Sequence, residues 1–202
     1  MSYPTFFDKV KTITLIDPLA DFLGSIENGE ITFNYLQIVK SAGHSCPTVA
    51  GAYLITYKAL ESLYKNETPI RGNIKVEFKE NIEEGVAGVI ANVISNITGA
   101  TSITGFKGIN GNFVRHSLMK YDSDIKSSAR FTRIDTNKSV DVFYNPSSIL
   151  ADERMMPLMQ KIIMNAANNE EKELFKTLWQ KRVKEILVDN CDNENIISVV
   201  EV

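Results

Sequence analysis

The chain has 202 residues, and 44% of them are hydrophobic, which is ample for a packed core. Its formal net charge is −3, with 22 Lys and Arg spread among 25 Asp and Glu, so the composition argues against nucleic acid as a partner. The start has no basic segment followed by an apolar one, and no run approaches the roughly 20 apolar residues of a membrane helix, so we expect a cytoplasmic protein that binds no membrane.

The first part of the chain predicts short elements that lead into one long helix. The short elements are helices over 5–10 and 18–26 and a strand over 31–35. The second of these helices has Asp17 as its N-cap and Pro18 at its first position. The long helix begins at Pro47, because proline suits the first turn, and its apolar residues follow at helical spacing from Val49 to Leu63.

The middle of the chain predicts a sheet and one more helix. Strands are expected over 74–78, 113–121, 129–135 and 139–144, the last two forming a hairpin. Periodicity leaves helix and strand in competition over 85–98, and the length of the run and the closing Gly99 favour a helix. In the strand over 113–121, His116 shares the apolar face and Arg115 the polar face.

After Asn145 the pattern changes to helical periods, which predict helices over 148–167 and 169–188. Together the elements predict an α+β fold, in which an antiparallel or mixed sheet packs with helices and a C-terminal helical pair follows. The predicted division is a core over 1–145, a helical extension over 146–190 that packs on the core or on a partner, and a tail over 191–202.

The strongest candidate site is the segment GHSCP at the start of the long helix. Cys46 falls at or beside the N-cap, where free N–H groups and the positive end of the helix dipole favour a thiolate. His44, two residues earlier, could bind the same ion or act as a base. The alternative is a loop histidine and a small buried thiol without chemistry. The second cysteine, Cys191, is distant, which excludes a disulfide framework and a zinc ribbon.

A metal site needs more donors than this segment supplies, because zinc takes three or four protein ligands. His116 is the most economical third ligand for His44 and Cys46, and its alternative is a satisfied core histidine. Nitrogen and sulfur donors favour zinc, with other late first-row divalent metals as alternatives.

A glycine-bearing loop over 99–111 provides further candidates. Gly105, Lys107 and Gly108 superficially resemble a phosphate loop, but no Gly-Lys-Ser/Thr follows at the required spacing, so we interpret them as cofactor-binding or ligand-binding residues of a loop that borders the site. An ordinary long loop would show the same glycines.

The residues resemble a known family. GHSCP before an Ala-rich helix, a strand, the run from Gly88 to Gly99 with ITGAT and the glycine-bearing loop resemble the family of the E subunit of formylmethanofuran dehydrogenase, over about 35–144. The resemblance implies an α+β core, an active site that includes His44 and Cys46, an association with metal, and a homodimer.

The sequence departs from the family motif H-G-H-x-C-P-G, because Ala42 and Thr48 occupy the positions of its first histidine and last glycine. A family cysteine and aspartate align with Val89 and Asn92. Two ligands or acid–base groups are therefore replaced, which argues against tight zinc binding and leaves a thiolate site possible.

Two functions follow as hypotheses. The first is a metal-associated or thiolate-dependent small-molecule site, with Cys46 as ligand or nucleophile and His44 as ligand or base. The second is a non-catalytic binding module that acts through a core pocket or through the methionine-rich helix between Met155 and Met164. The sequence leaves open whether the protein is an enzyme.

Overall fold

The computed structural model describes residues 3–202, and it has the predicted α+β fold. The helices are α1 (Pro18–Phe22), α2 (Tyr35–Ala42), α3 (Pro47–Tyr64), α4 (Ala87–Thr98), α5 (Met155–Ile163) and α6 (Asn169–Lys184). The strands are β1 (Ile13–Ile16), β2 (Glu30–Phe33), β3 (Ile74–Glu77), β4 (Met119–Lys120), β5 (Ala129–Arg133), β6 (Ser139–Tyr144) and β7 (Ile197–Glu201). In the described residues, no helix is long and apolar enough to cross a membrane.

The strands form two sheets. β1 and β2 make an antiparallel hairpin, and the other five have the order β4-β3-β5-β6-β7. The pair β3–β4 is parallel, and all other neighbours are antiparallel. The predicted hairpin of β5 and β6 is confirmed, and the ambiguous run over 85–98 is the helix α4.

Helix α3 lies at the centre of the core, because it is buried on most of its faces. Its buried residues include Val49, Tyr53, Ile55 and Leu60. Helix α3 packs against α4 and β6, and these contacts fix the position of the helix in the fold.

The predicted strand over 113–121 is wrong except for β4. Phe113 and Ser117 have positive φ values of 59° and 57°, which breaks the two-residue alternation of a strand. Arg115 is therefore buried rather than on a polar outer face, with 6% of its surface exposed. His116 lies in the same loop instead of on an apolar strand face, and its Nδ1 is 2.9 Å from Ser117 Oγ.

Arg115 is drawn inward by a buried carboxylate. Asp17, 4% exposed, accepts hydrogen bonds from Arg115 Nη2 at 2.6 Å and Arg71 Nη1 at 2.8 Å. Gly72 makes room for this cluster, because a Cβ there would overlap Arg115 Nη1. Asp17 also caps α1 by accepting the N–H of Leu19 at 2.9 Å, as the sequence predicts.

The first of the two C-terminal helices is shorter than predicted, and the second matches its predicted range. α5 begins only at Met155, so that Pro157 lies in its first turn, where proline is tolerated. α6 begins at the predicted position and continues as one π-helical turn over Glu185–Asp189. The division of the chain at residue 145 stays a prediction. Residues 197–201 of the predicted tail form β7, which pairs with β6.

Candidate functional site

The start of α3 has the predicted geometry. Cys46 is the N-cap of the helix, with φ −144° and ψ 169°, and Pro47 is its first residue. The Cys46 Sγ accepts the backbone N–H of Val49 at 3.4 Å. The sulfur therefore takes the place that a serine or aspartate oxygen usually holds at a helix N-terminus. Gly43, with φ 79°, ends α2, so only the short loop over 43–46 separates the two helices.

His44 lies in this loop with its side chain exposed. Its Nδ1 is 3.0 Å from the carbonyl oxygen of Ala42. Since the carbonyl only accepts, the hydrogen-bond network assigns the proton to Nδ1 and leaves the lone pair on Nε2. His44 can therefore accept a proton or bind an electrophile through Nε2.

Ser45 lies between His44 and Cys46 in the chain, and it forms hydrogen bonds with residues of α2 and α6. Its Oγ is 3.0 Å from the hydroxyl of Tyr35, the first residue of α2. Its carbonyl oxygen accepts two hydrogen bonds from α6, from Trp179 Nε1 at 3.0 Å and from Gln180 Nε2 at 3.2 Å. The sequence did not predict these contacts, because residues 134 positions apart give no local signal and Trp179 fits an ordinary apolar stripe.

Tyr144 packs against the first turns of α3. Its ring lies over Gly51, where a Cβ would overlap the ring atoms, and its hydroxyl donates to the carbonyl oxygen of Pro47 at 3.3 Å. Burial raises the pKa of Tyr144, and burial also raises that of Tyr35. Both phenols therefore stay protonated at neutral pH and do not act as bases, and the Tyr144 hydroxyl serves as a hydrogen-bond donor.

Two depressions include residues of the motif in their lining, and His44 and Cys46 line neither of them. The first, which we call the Ser45 groove, has a volume of about 730 Å³ and an almost entirely apolar surface. Its lining includes Ser45, Phe7, Leu36, Val39, Met159 and Trp179. The second has a volume of about 480 Å³, and its lining includes Pro47, Thr48, Phe78, Val86 and Tyr144. Ligand-sized space is therefore available next to the start of α3.

The donors of the described chain do not complete a zinc site. Zinc requires three or four protein ligands, and among residues 3–202 no three His, Cys, Asp or Glu side chains are grouped so that they could hold a metal ion. His116 is therefore not brought to His44 and Cys46 as a third ligand within this chain. Binding of zinc or another late first-row metal stays a prediction.

Packing within the glycine-bearing loop accounts for the glycines at positions 105 and 108. A Cβ on Gly105 would overlap Thr101 Oγ1, and one on Gly108, where φ is 91°, would overlap the carbonyl oxygen of Asn112. Lys107 is exposed. The two glycines are thus needed for close approaches inside the loop, and a role of Gly105, Lys107 and Gly108 in ligand binding stays a prediction.

Fold and site together define an α+β protein with an H-x-C-P segment at the start of its central helix. Residues 42–195 match the family model described as FmdE, Molybdenum formylmethanofuran dehydrogenase operon, and the chain belongs to this family. The matched residues begin just before the motif and include α5 and α6. No curated protein matches the chain.

Proposed function

We propose that the loop between α2 and α3 is a thiolate-dependent small-molecule site in which Cys46 is the reactive group. The observation that carries this proposal is the position of Cys46 Sγ, which accepts the Val49 N–H at the N-terminus of the central helix. A helix N-terminus favours negative charge, and a thiolate is the form of cysteine that attacks electrophiles.

His44 is the base in this proposal. Its exposed ring has Nδ1 directed at Ala42, so Nε2 is available to accept the proton that Cys46 releases. Cys46 Sγ then supplies the electron pair to an electrophilic ligand bound beside the loop.

The second cysteine gives an internal control for this proposal. Cys191 Sγ is 3.5 Å from Asp192 Oδ2, and burial together with this carboxylate raises the pKa of Cys191. In the folded protein at pH 7, we expect iodoacetamide to alkylate Cys46 at least about tenfold faster than Cys191, as measured by peptide mass spectrometry.

Two variants separate the roles of the residues. Cys46→Ser should abolish the fast alkylation, and His44→Ala should slow it by a few fold if Nε2 acts as the base. Equal rates at the two cysteines of the folded chain would contradict the proposal.

Metal binding and dimer formation also remain proposals. His44 and Cys46 would be the zinc donors, and the missing ligands would have to come from outside the described residues of one chain. Element-specific metal analysis of untagged protein, together with the Cys46→Ser and His44→Ala variants, tests this, because both variants should release a metal that these residues bind. Light scattering of the same samples reports whether the protein is a homodimer.

A second candidate function is supported by the Ser45 groove, which fits a non-catalytic module that binds an apolar small molecule. Its volume lies in the range of small-molecule sites, and its walls are apolar. Trp179, the single tryptophan of the chain, lines the groove and can report on an occupant.

Fluorescence titration tests this second function. An apolar probe such as 1-anilinonaphthalene-8-sulfonate should quench Trp179 emission, and Met159→Glu, which places a charge on the groove wall, should weaken binding by more than about tenfold. Ile163→Glu is the matched control, because Ile163 lies on the same helix and is already 72% exposed. Equal probe binding by the two variants would exclude the groove as the binding site.

A further inference from the structure

Two side chains of helix α6 form hydrogen bonds to one backbone atom of the candidate site. Trp179 and Gln180 are adjacent residues, and both donate a side-chain N–H to the carbonyl oxygen of Ser45. This oxygen belongs to the peptide bond that joins Ser45 to Cys46. Two donors from a distant part of the chain thus converge on the peptide immediately before the thiol.

Fixing this oxygen restrains Cys46. A peptide unit is planar, so a carbonyl oxygen that is held by two donors fixes the orientation of the following N–H. Because α3 fixes the other side of Cys46, holding this peptide plane restrains φ of Cys46. Cys46 must keep its extended φ of −144° for Sγ to lie over the first turn and accept the Val49 N–H. The loop over 43–46 begins with Gly43, which adds conformational freedom that such restraints reduce.

The two polar atoms of the Gln180 side chain differ in their hydrogen bonding, and this difference indicates that the Nε2 donor accounts for a glutamine at this position. In the described structure, Gln180 Oε1 is buried without a hydrogen-bond partner. A buried acceptor without a donor is unfavourable, and an apolar side chain of the same size would avoid this cost. The amide is therefore explained by its Nε2, which donates to Ser45.

We propose that Trp179 and Gln180 are positioning residues for Cys46, acting through the Ser45 carbonyl oxygen. The proposal rests on the proposed function, in which Cys46 is the reactive group. It adds a second role to α6, whose apolar side chains pack against α5 and the core.

Alkylation kinetics in a Cys191→Ser background, where Cys46 is the single thiol, test the positioning role. The parent, Gln180→Met and Trp179→Phe are compared at one pH with iodoacetamide. Each variant has a side chain of similar shape to the one it replaces and loses one donor, so each should lower the rate constant about fivefold, the factor expected for one lost hydrogen bond. Thr177→Val is the matched control, because Thr177 also lies on α6 and also loses one side-chain donor, but that donor bonds the carbonyl oxygen of Glu173 at 2.9 Å instead of Ser45.

Thermal stability distinguishes positioning from simple packing. Gln180→Met removes the buried oxygen that has no donor, so its melting temperature should stay the same or rise while the Cys46 rate falls. The Trp179 emission maximum should stay unchanged in this variant, which shows that α6 remains docked.

The outcomes separate this proposal from the one on which it rests. If iodoacetamide alkylates Cys46 rapidly in the parent and at the same rate in Gln180→Met and Trp179→Phe, the positioning role alone is overturned. A wild-type Cys46 that reacts no faster than Cys191 overturns the proposed function and the positioning role with it. A fall in rate that always accompanies a matching fall in stability also contradicts positioning.

Discussion

Replacing Asp17 with alanine is expected to lower the free energy of unfolding by about 3–5 kcal/mol, the range for removing one partner of a buried ion pair. Asp17 is the common acceptor of Arg71 and Arg115, and Arg115 is itself buried. Without the carboxylate, two guanidinium groups would face each other with no compensating charge. Urea denaturation followed by circular dichroism measures the change.

A matched control for this prediction lies at the surface. Asp152 also pairs with an arginine, Arg154 Nε at 2.8 Å, and also accepts a backbone N–H, but the side chain of Arg154 is 56% exposed. Asp152→Ala should therefore change the free energy of unfolding little. If Asp17→Ala and Asp152→Ala lowered the free energy of unfolding equally, burial of the Asp17 cluster would not contribute to stability.

The Asp17 cluster also gives the protein a defined response to acid. Burial, the largest single influence, would raise the pKa of Asp17, but the hydrogen bond from Arg71 and the charges of Arg115 and Arg71 together lower it below the ordinary 3.8. A carboxyl with a lowered folded-state pKa stabilises the fold above its unfolded-state pKa, and this stabilisation is lost as the pH falls towards the folded-state value. The stability difference between wild type and Asp17→Ala should thus be constant above about pH 5 and shrink below about pH 4.

Removal of residues 196–202 is expected to cost at least about 3–6 kcal/mol, at about 1.5–3 kcal/mol for each of two buried isoleucine side chains. Ile196 and Ile197 are only 2% and 4% exposed, and β7 pairs with β6 from Ile197 opposite Tyr144 to Glu201 opposite Val140. The truncated chain should unfold at a much lower urea concentration than the full chain. The loss should also loosen Tyr144, which packs against the start of α3.

Point variants on the same strand control for the truncation. Ile197→Ala should cost about 2–5 kcal/mol. Val200→Ala should change the free energy of unfolding by no more than about 0.5 kcal/mol, because Val200 is 49% exposed. If the truncated chain keeps the stability of the full chain, residues 196–202 contribute nothing to the core and the prediction is wrong.

The helix boundaries near the site could be predicted because their causes are local. Pro47 suits the first turn of a helix, Asp17 satisfies the N–H groups that follow it, and Gly99 adopts the left-handed conformation that ends a helix. Each signal acts over a few residues. The N-cap position of Cys46 was therefore predictable from the sequence, and so was the family.

The loop before β4 is a segment where prediction from local sequence patterns fails. Alternation over 113–121 matches a strand, but the charge of Asp17, 98 residues from Arg115, outweighs that local preference and draws the arginine into the interior. The predicted tail fails for a different reason, because its β-branched residues suit a strand, but the strand depends on pairing with β6, which no local pattern shows. At Arg115, a long-range charge interaction outweighs a strand propensity of only about 1 kcal/mol.

The segment GHSCP could thus be identified from residue types alone as a thiol at a helix start, because capping depends on atoms within four residues of each other. Its surroundings could not be predicted in this way. The two donors on the Ser45 carbonyl and the ring of Tyr144 over Gly51 come from segments about 90 to 135 positions away, and α5 and α6 supply one wall of the apolar groove. Such contacts form only when packing of the whole chain brings α6 and β6 to the start of α3, and no periodicity within either partner encodes them.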